Sequence, residues 1–199
     1  MTAVRNREIT PDDILPLAEY QKIRKEHKQK LIPIKKNRRV EIGPFATFYF
    51  ENYDTMWSQI QEMLYIEQGG DEQLQDELAA YNPLIPNGSE LVATLMIEID
   101  DPVRRDFMLR QLGHIEKSTY LSVGGEKIYA VPEQEVERTT EDGKASSIHF
   151  LHFPLTDAQK ASFKDPTTDV QLGIEHENYG HIALIKGNTR TALAEDLAS

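Results

Sequence analysis

The chain contains no cysteine. This absence excludes disulfide bonds, iron–sulfur clusters, thiolate zinc sites and thiol nucleophiles, since each of these needs a cysteine sulfur. Any metal ion that the chain holds must therefore be bound by imidazole and carboxylate groups. The absence also fits a protein that does not need an oxidising compartment.

Long apolar runs are missing as well. No stretch approaches the roughly 18 apolar residues that a membrane-spanning helix needs, and the first eight residues lack the apolar core of a secretory signal. These absences predict a cytoplasmic protein with no membrane segment.

Several catalytic signatures are absent too. The 11 glycines stand at turn positions and form neither a phosphate-binding loop, a dinucleotide fingerprint nor a nucleophile elbow. No spacing of ionisable residues matches a recognisable catalytic set. The sequence therefore assigns no catalytic residue and leaves open whether the protein is an enzyme.

Charge is unevenly distributed along the chain. The net charge is −11, yet the segment 21–40 holds nine basic residues and one acidic residue. Such a segment fits an acidic partner, which could be another protein or the acidic remainder of the same chain. Nucleic acid is disfavoured as that partner because Tyr20 is the one aromatic residue near the segment and the rest of the chain is acidic.

Hydrophobic periodicity predicts one α+β domain over residues 1–199, with a mixed, mostly antiparallel sheet, helices packed on it and a basic N-terminal helix. The predicted helices are 10–30, ended or kinked by Pro33, 54–68, 71–81, 102–112, 156–163 and 188–197. The predicted strands are 39–42, 46–51, 91–99, 120–123, 127–131, 147–153, 170–175 and 182–185. Residues 1–9 are predicted to be flexible and residues 133–146 to form a mobile loop.

Alternation predicts the direction of side chains in the clearer strands. In residues 46–51 the side chains at 46, 48 and 50 face one side, whereas Thr47, Tyr49 and Glu51 face the other. The strand 147–153 is apolar on both faces, which predicts a central position in its sheet.

The stretch from Glu175 to His181 is the most chemically suggestive part of the sequence. Its histidines, His176 and His181, stand five residues apart, so they cannot share one face of a helix as zinc-protease histidines do. In a loop they have no such constraint, and they could converge on one ion with a carboxylate such as Glu175 or Glu177.

Two further residues could complete such a site. His149 stands on the apolar face of a predicted strand, and Glu62 stands on a predicted helix. The alternative interpretation is structural. In that case the histidines are hydrogen-bonded strand residues, and Glu62 belongs to a solvated helix face or pairs with Arg38 or Arg39.

Six stretches carry a resemblance to a known family. They are 13–20 (DILPLAEY), 59–64 (QIQEML), 81–88 (YNPLIPNG), 93–98 (ATLMIE), 149–151 (HFL) and 176–181 (HENYGH). Together they resemble the uncharacterised bacterial family named domain of unknown function 3501, over most of the chain. In that family the last stretch more often has Asp before its first histidine and Pro after it, where this chain has Glu175 and Glu177.

The resemblance implies no activity. It implies a genomic context, because proteins of this family look like companions of rubrerythrin-like and iron–sulfur oxidoreductase proteins in bacterial gene clusters. Together, sequence and resemblance predict a metal-binding accessory protein linked to iron or peroxide-stress redox proteins, with iron or zinc as the ion. The predicted ligands are His149, His176, His181, Glu177 and Glu62, with Glu175 as an alternative carboxylate. The competing prediction is an interaction module with no site of its own, which docks a partner through the basic segment 22–39.

Overall fold

A computed structural model describes residues 7–133 and 138–198 of the chain. Within these ranges the chain forms six α-helices and nine β-strands, and every strand pair is antiparallel. The strands form two sheets with helices interspersed irregularly, which confirms the predicted α+β class. None of the described helices is long and apolar enough to cross a membrane.

The helices are α1 (Leu17–Lys36), α2 (Tyr53–Glu67), α3 (Gly70–Tyr81), α4 (Pro102–Leu109), α5 (Asp157–Lys164) and α6 (Gly187–Ala194). The strands are β1 (Arg39–Ile42), β2 (Ala46–Phe50), β3 (Glu90–Ile97), β4 (Thr119–Val123), β5 (Glu126–Tyr129), β6 (Val131–Pro132), β7 (Ile148–Pro154), β8 (Val170–His176) and β9 (Tyr179–Leu184). Short 3-10 turns cover Pro11–Asp13, Asn82–Leu84 and Ile115–Ser118.

The larger sheet has the strand order β1-β2-β3-β7-β6, so β7 lies inside it as predicted. On its inner face Phe48 stands opposite Leu95, and Leu95 stands opposite His149. All three are fully buried, and Phe48 and Leu95 share one core with Leu121 and Leu172 of the smaller sheet, which has the order β5-β4-β8-β9. Burial of each large apolar side chain in such a core contributes roughly 1.5–3 kcal/mol.

Tyr179 of β9 ties the smaller sheet to the turn between β1 and β2. Its hydroxyl donates to the Ile42 carbonyl at 2.5 Å and accepts from the backbone N–H groups of Phe45 at 3.3 Å and Ala46 at 3.1 Å. Its ring packs on Phe45 with 4.6 Å between centroids. The buried hydroxyl thus satisfies three backbone groups at the corner where the sheets meet.

The basic helix α1 differs from its prediction at both ends. Thr10 precedes a separate 3-10 turn over Pro11–Asp13, and α1 begins only after it. Pro33 does not end the helix, which continues past it. A proline inside a helix removes one backbone donor; here only the last turn follows, and the Pro33 carbonyl still accepts from the N–H of Asn37 at 3.3 Å.

A second, smaller core lies on the outer face of the larger sheet. Met56 and Ile60 of α2 pack there with Val92 of β3. Tyr20 of α1 in turn packs edge-on against Trp57 of α2, with 6.0 Å between ring centroids. The helical layer of α1 and α2 therefore covers part of this outer face.

The start of the described chain is tied down. Residues 1–6, predicted to be flexible, lie outside the described residues. Ile9, however, is buried, and its backbone exchanges two hydrogen bonds with the side-chain amide of Asn82, at 2.8 and 2.9 Å. These contacts attach Ile9 to the turn after α3, and the flexibility of residues 1–9 stays a prediction.

The segment predicted as a mobile loop at 133–146 is also hydrogen-bonded where it is described. Residues 134–137 lie outside the described part of the chain. Beyond them, Thr139 and Ala145 form an antiparallel bridge, and the N–H of Ala145 donates to the Leu109 carbonyl at 2.9 Å. Thr139 to Ala145 thus form a hydrogen-bonded turn beside the end of α4, and Ala145 is buried there. The mobility of residues 133–146 stays a prediction.

Arg38 and Asp196 form a buried ion pair that joins the end of the helical layer to the end of the chain. The guanidinium donates to both carboxylate oxygens at 2.6 and 2.8 Å, and each side chain is 4% exposed. It also donates to the carbonyls of Ala192 at 3.1 Å and Glu51 at 3.4 Å. These bonds offset the cost of burying both charges. Arg38 cannot therefore serve the docking surface predicted for 22–39.

Removing the arginine would leave the Asp196 carboxylate buried without it. Arg38→Met is expected to lower the free energy of unfolding by about 3–5 kcal/mol, measured by urea denaturation. The matched control is Arg39→Met, because Arg39 is 45% exposed and pairs with Glu41 at the surface. Its expected loss is roughly 0.2–1 kcal/mol. Equal losses in the two variants would contradict this account of the pair.

Candidate functional site

Glu62, one of the predicted metal ligands, is held by side chains of α1. Its carboxylate accepts from Arg24 through two nitrogens, each at 2.8 Å, and from the Tyr20 hydroxyl at 2.7 Å, and it pairs with Lys28 at 2.8 Å. Donation from Arg24, and then from the other two, lowers the pKa of Glu62 to about 2. Glu62 therefore joins α1 to α2. Its partners are not Arg38 or Arg39, with which the sequence suggested it could pair.

His149, the predicted ligand on β7, is fully buried. Its Nε2 lies 2.9 Å from the Ser146 carbonyl and must donate the proton of that hydrogen bond. Its Nδ1 lies 3.5 Å from the carboxylate of Glu116, which also approaches Nδ1 of His114 at 3.6 Å. Burial lowers the pKa of His149. Sequence reasoning missed Glu116 and His114, because their positions around a 3-10 turn match no ligand motif.

The stretch around His176 and His181 forms a tight hairpin and not the predicted loop. His176 ends β8 opposite Tyr179, the first residue of β9, and Glu177 lies exposed in the turn. Nε2 of His176 lies 3.1 Å from the Gly113 carbonyl. His181 instead packs on the ring of Tyr179, with 4.6 Å between centroids. The two histidines thus have separate environments.

The five predicted ligands do not form one metal centre. Within 7–133 and 138–198, no group of three or more histidine, cysteine, aspartate or glutamate side chains is arranged so that it could hold a metal ion. His149 and His176 face backbone carbonyls, and Glu62 is engaged by α1. The alternative interpretation, that the histidines are hydrogen-bonded strand residues, describes His149 and His176 correctly.

We expect no stabilisation by zinc(II), iron(II) or manganese(II) that depends on these ligands, because their donor atoms do not converge. The measurement is the melting temperature of the untagged protein with and without each ion, for the wild type and for His176→Ala. Stabilisation of the wild type that His176→Ala removes would contradict the geometry. An effect shared by both proteins would arise at a different place.

A cavity of about 360 Å³ lies on the outer face of the larger sheet, beside α2 and the 3-10 turn after α3. This volume falls within the range of roughly 300–1,000 Å³ that is typical of small-molecule sites. Its walls are largely apolar, and the apolar lining residues are Phe50, Met56, Leu84, Met96, Ile148 and Phe150.

Strand pairing builds the floor of this cavity. Tyr49 of β2 stands opposite Thr94 of β3, which stands opposite Phe150 of β7. The next row along these strands places Met96 opposite Ile148. Alternate residues of a strand share a face. The floor is therefore the face that was predicted from the sequence to carry Thr47, Tyr49 and Glu51. All five side chains in these two rows keep intermediate exposure, so the cavity is open to solvent.

Glu51, directly after β2, is the acidic group of this cavity. Its carboxylate oxygens accept hydrogen bonds from the hydroxyls of Thr55 at 2.6 Å and Thr94 at 2.8 Å. The position of Thr55 is fixed because Asn52 caps α2, accepting from the Thr55 N–H at 3.0 Å. Burial raises the pKa of Glu51, and this effect outweighs the two hydroxyl groups. A carboxyl group with a raised pKa in a cavity is typical of a functional site.

Sequence reasoning placed Glu51 on the correct face of its strand but gave it no role. The available signal was an acidic residue directly after an apolar strand and directly before a helix-capping Asn52. Nothing local points to Thr94, which is 43 residues away in the sequence. Only the pairing of β2 with β3 brings these two side chains together.

The chain is similar to a known family and to a solved structure over nearly its whole length. The family model DUF3501, described as "Protein of unknown function (DUF3501)", matches residues 8–197. This chain belongs to the DUF3501 family. A novel protein of unknown function from Burkholderia pseudomallei K96243 has a crystal structure at 1.90 Å resolution. Its sequence is 38% identical to that of this chain, and the two structures superpose with a TM-score of 0.89. The match covers 96% of this chain and 99% of that one. No curated protein matches the DUF3501 chain.

The DUF3501 protein holds His152 of β7 between two carboxylates. Nδ1 lies 3.0 Å from Glu90 at the start of β3, and Nε2 lies 3.3 Å from Glu133, just after β6. The hydrogen bond to Glu90, with the charges of both carboxylates, raises the pKa of His152. In its protonated form, His152 can donate to both carboxylates, and it thus connects β7 to the start of β3 and to the residue after β6.

The raised pKa of His152 predicts how the stability of the DUF3501 protein changes with pH. The contribution of His152 is fully present below the ordinary histidine pKa of 6.5 and is lost as the pH rises through the higher pKa of the folded state. The free energy of unfolding of the wild type should therefore fall relative to that of His152→Gln above about pH 6.5. Urea titrations at several pH values measure this difference, and a constant difference would contradict the assignment.

Proposed function

We propose that this protein binds a small, mainly apolar molecule in the cavity beside Glu51. The observation that carries the proposal is an open, apolar cavity of about 360 Å³ with one acidic group of raised pKa at its wall. Small-molecule sites combine apolar walls, which provide affinity, with a few fixed polar groups, which orient the ligand.

The exposed apolar floor supports this proposal. Met96, Ile148 and Phe150 lie on a sheet face but keep intermediate exposure. Phe150 also packs on the smaller core, and the guanidinium of Arg138 lies 4.8 Å from its ring centroid. A molecule that covers these side chains gains roughly 25 cal/mol for each Å² of apolar surface removed from water. The floor is also rigid, since hydrogen-bonded strands on both sides of β3 hold it.

The polar groups of the cavity support binding more directly than catalysis. Both oxygens of Glu51 face hydroxyl groups, those of Thr55 and Thr94, which orient the carboxylate without changing its charge. Tyr81 also lines the cavity, and its hydroxyl accepts a hydrogen bond from Gln59 at 3.4 Å. Such a set fixes the orientation of a ligand.

The functions predicted from the sequence alone have less structural support. The metal-binding accessory role, with its link to iron or peroxide-stress proteins, requires ligands that share an ion, and the five predicted ligands lie in separate environments. The docking role of the basic segment 22–39 loses Arg24 and Lys28 to Glu62 and Arg38 to Asp196. Binding in the cavity requires neither a shared metal ion nor the basic side chains that Glu62 and Asp196 bind.

Filling the cavity with a larger side chain should abolish binding there. The probes are cyclohexanol, benzylamine, indole and benzoate, tested by ligand-observed NMR. We expect at least one to bind the wild type with a roughly millimolar Kd, and Met96→Trp to remove that signal. The matched control is Ile182→Trp on β9 of the other sheet, where Ile182 is 60% exposed. It should bind as the wild type does.

Circular dichroism must first show that both tryptophan variants are folded. If no probe binds the wild type, or if folded Met96→Trp binds as well as the control does, the proposed function is wrong.

A further inference from the structure

Within the described residues, the carboxyl group of Glu51 has hydroxyl partners but no bonded cation. Among the described residues that line the cavity, Glu51 is the only acidic one. No basic side chain of the described chain lies within ion-pair distance of its carboxylate, and the bonds to its oxygens come from Thr55 and Thr94. Hydroxyl groups orient a carboxylate but leave its charge uncompensated.

Neither of the two basic residues that line the cavity forms an ion pair with Glu51. Arg38 gives its guanidinium to both oxygens of Asp196, and toward Glu51 it reaches only the backbone carbonyl, at 3.4 Å. Lys35 is exposed on the last turn of α1. It acts on Glu51 only through its field, which is weaker than the burial that raises the pKa of Glu51. Among the described residues, the cavity wall therefore has an acidic group to which no cation is bonded.

We propose that the ligand of this cavity is an organic ammonium compound, with an apolar body over the sheet and a protonated amine on Glu51. This inference rests on the proposed function and names its ligand class. The apolar body covers Met96, Ile148 and Phe150, which face the same cavity as the carboxylate. An ammonium group has three donors and a positive charge, so it both compensates Glu51 and uses the lone pairs that the threonines leave.

Three probes with the same ring but different charge test this class. They are cyclohexylmethylamine, cyclohexylmethanol and cyclohexanecarboxylate, titrated calorimetrically at about pH 8, where the amine is protonated. The amine should bind roughly tenfold or more tightly than the alcohol, since a charge-assisted hydrogen bond is worth more than a neutral one. The carboxylate should bind most weakly, because Glu51 repels it.

The variant Glu51→Gln keeps the shape of the side chain and removes its charge. It should lose the preference for the amine while it still binds the alcohol. Its matched control is Glu98→Gln. Glu98 also accepts from two hydroxyls, those of Thr47 at 2.6 Å and Tyr49 at 2.7 Å, but it does not line the cavity. This control should keep the amine preference.

A second measurement on the wild type does not depend on the folding of any variant. Because burial raises the pKa of Glu51, its carboxylate takes up a proton at a higher pH than an unperturbed glutamate does. The affinity for the amine should therefore fall with falling pH, whereas the affinity for the alcohol should stay constant.

The outcomes separate the two proposals. Equal binding of amine and alcohol, lost in Met96→Trp, would overturn the ammonium class and leave the cavity as a binding site. A preference for the carboxylate would also overturn it, with Lys35 as the recognising group. If none of the three probes binds, both proposals fail.

Discussion

The ion pair between Arg38 and Asp196 joins three parts of the molecule that are far apart in the sequence. Arg38 follows α1 and precedes β1, Asp196 follows α6, and the same guanidinium reaches the backbone of Glu51 beyond β2. A buried pair of this kind is stable only when further hydrogen bonds satisfy it, as the carbonyl of Ala192 does here. Because Arg38 is bonded to Asp196, no basic side chain among the described residues is bonded to the carboxyl group of Glu51.

The two faces of the larger sheet differ in how completely they are buried. On the inner face, Phe48 and Leu95 are fully buried in a core that the larger sheet shares with the smaller sheet. The outer face is covered by α2 at Val92 but remains partly exposed further along, at Thr94 and Met96. The open cavity is thus a consequence of incomplete cover, and strand pairing makes its floor rigid. A rigid, partly covered sheet face is a suitable surface for a small ligand.

Local patterning predicted much of the fold and little of the site. Alternation identified β2 and β3 and the facing of their residues, because a strand facing a core repeats every two residues. It could not predict Arg38 with Asp196, which are 158 residues apart. Local patterning also could not predict the separate surroundings of the two histidines. A turn of two residues extended β8 and β9, so His176 and His181 became strand residues with their own partners.

The central claim is that an ammonium ligand occupies the cavity with its charge on Glu51. A crystal structure of the protein soaked with cyclohexylmethylamine tests it most directly. The account predicts electron density for the ring over Met96 and Phe150, with the nitrogen within about 3.2 Å of a Glu51 carboxylate oxygen. Density with the nitrogen turned away from Glu51, or an unchanged cavity with the amine bound only at another surface, would contradict the account.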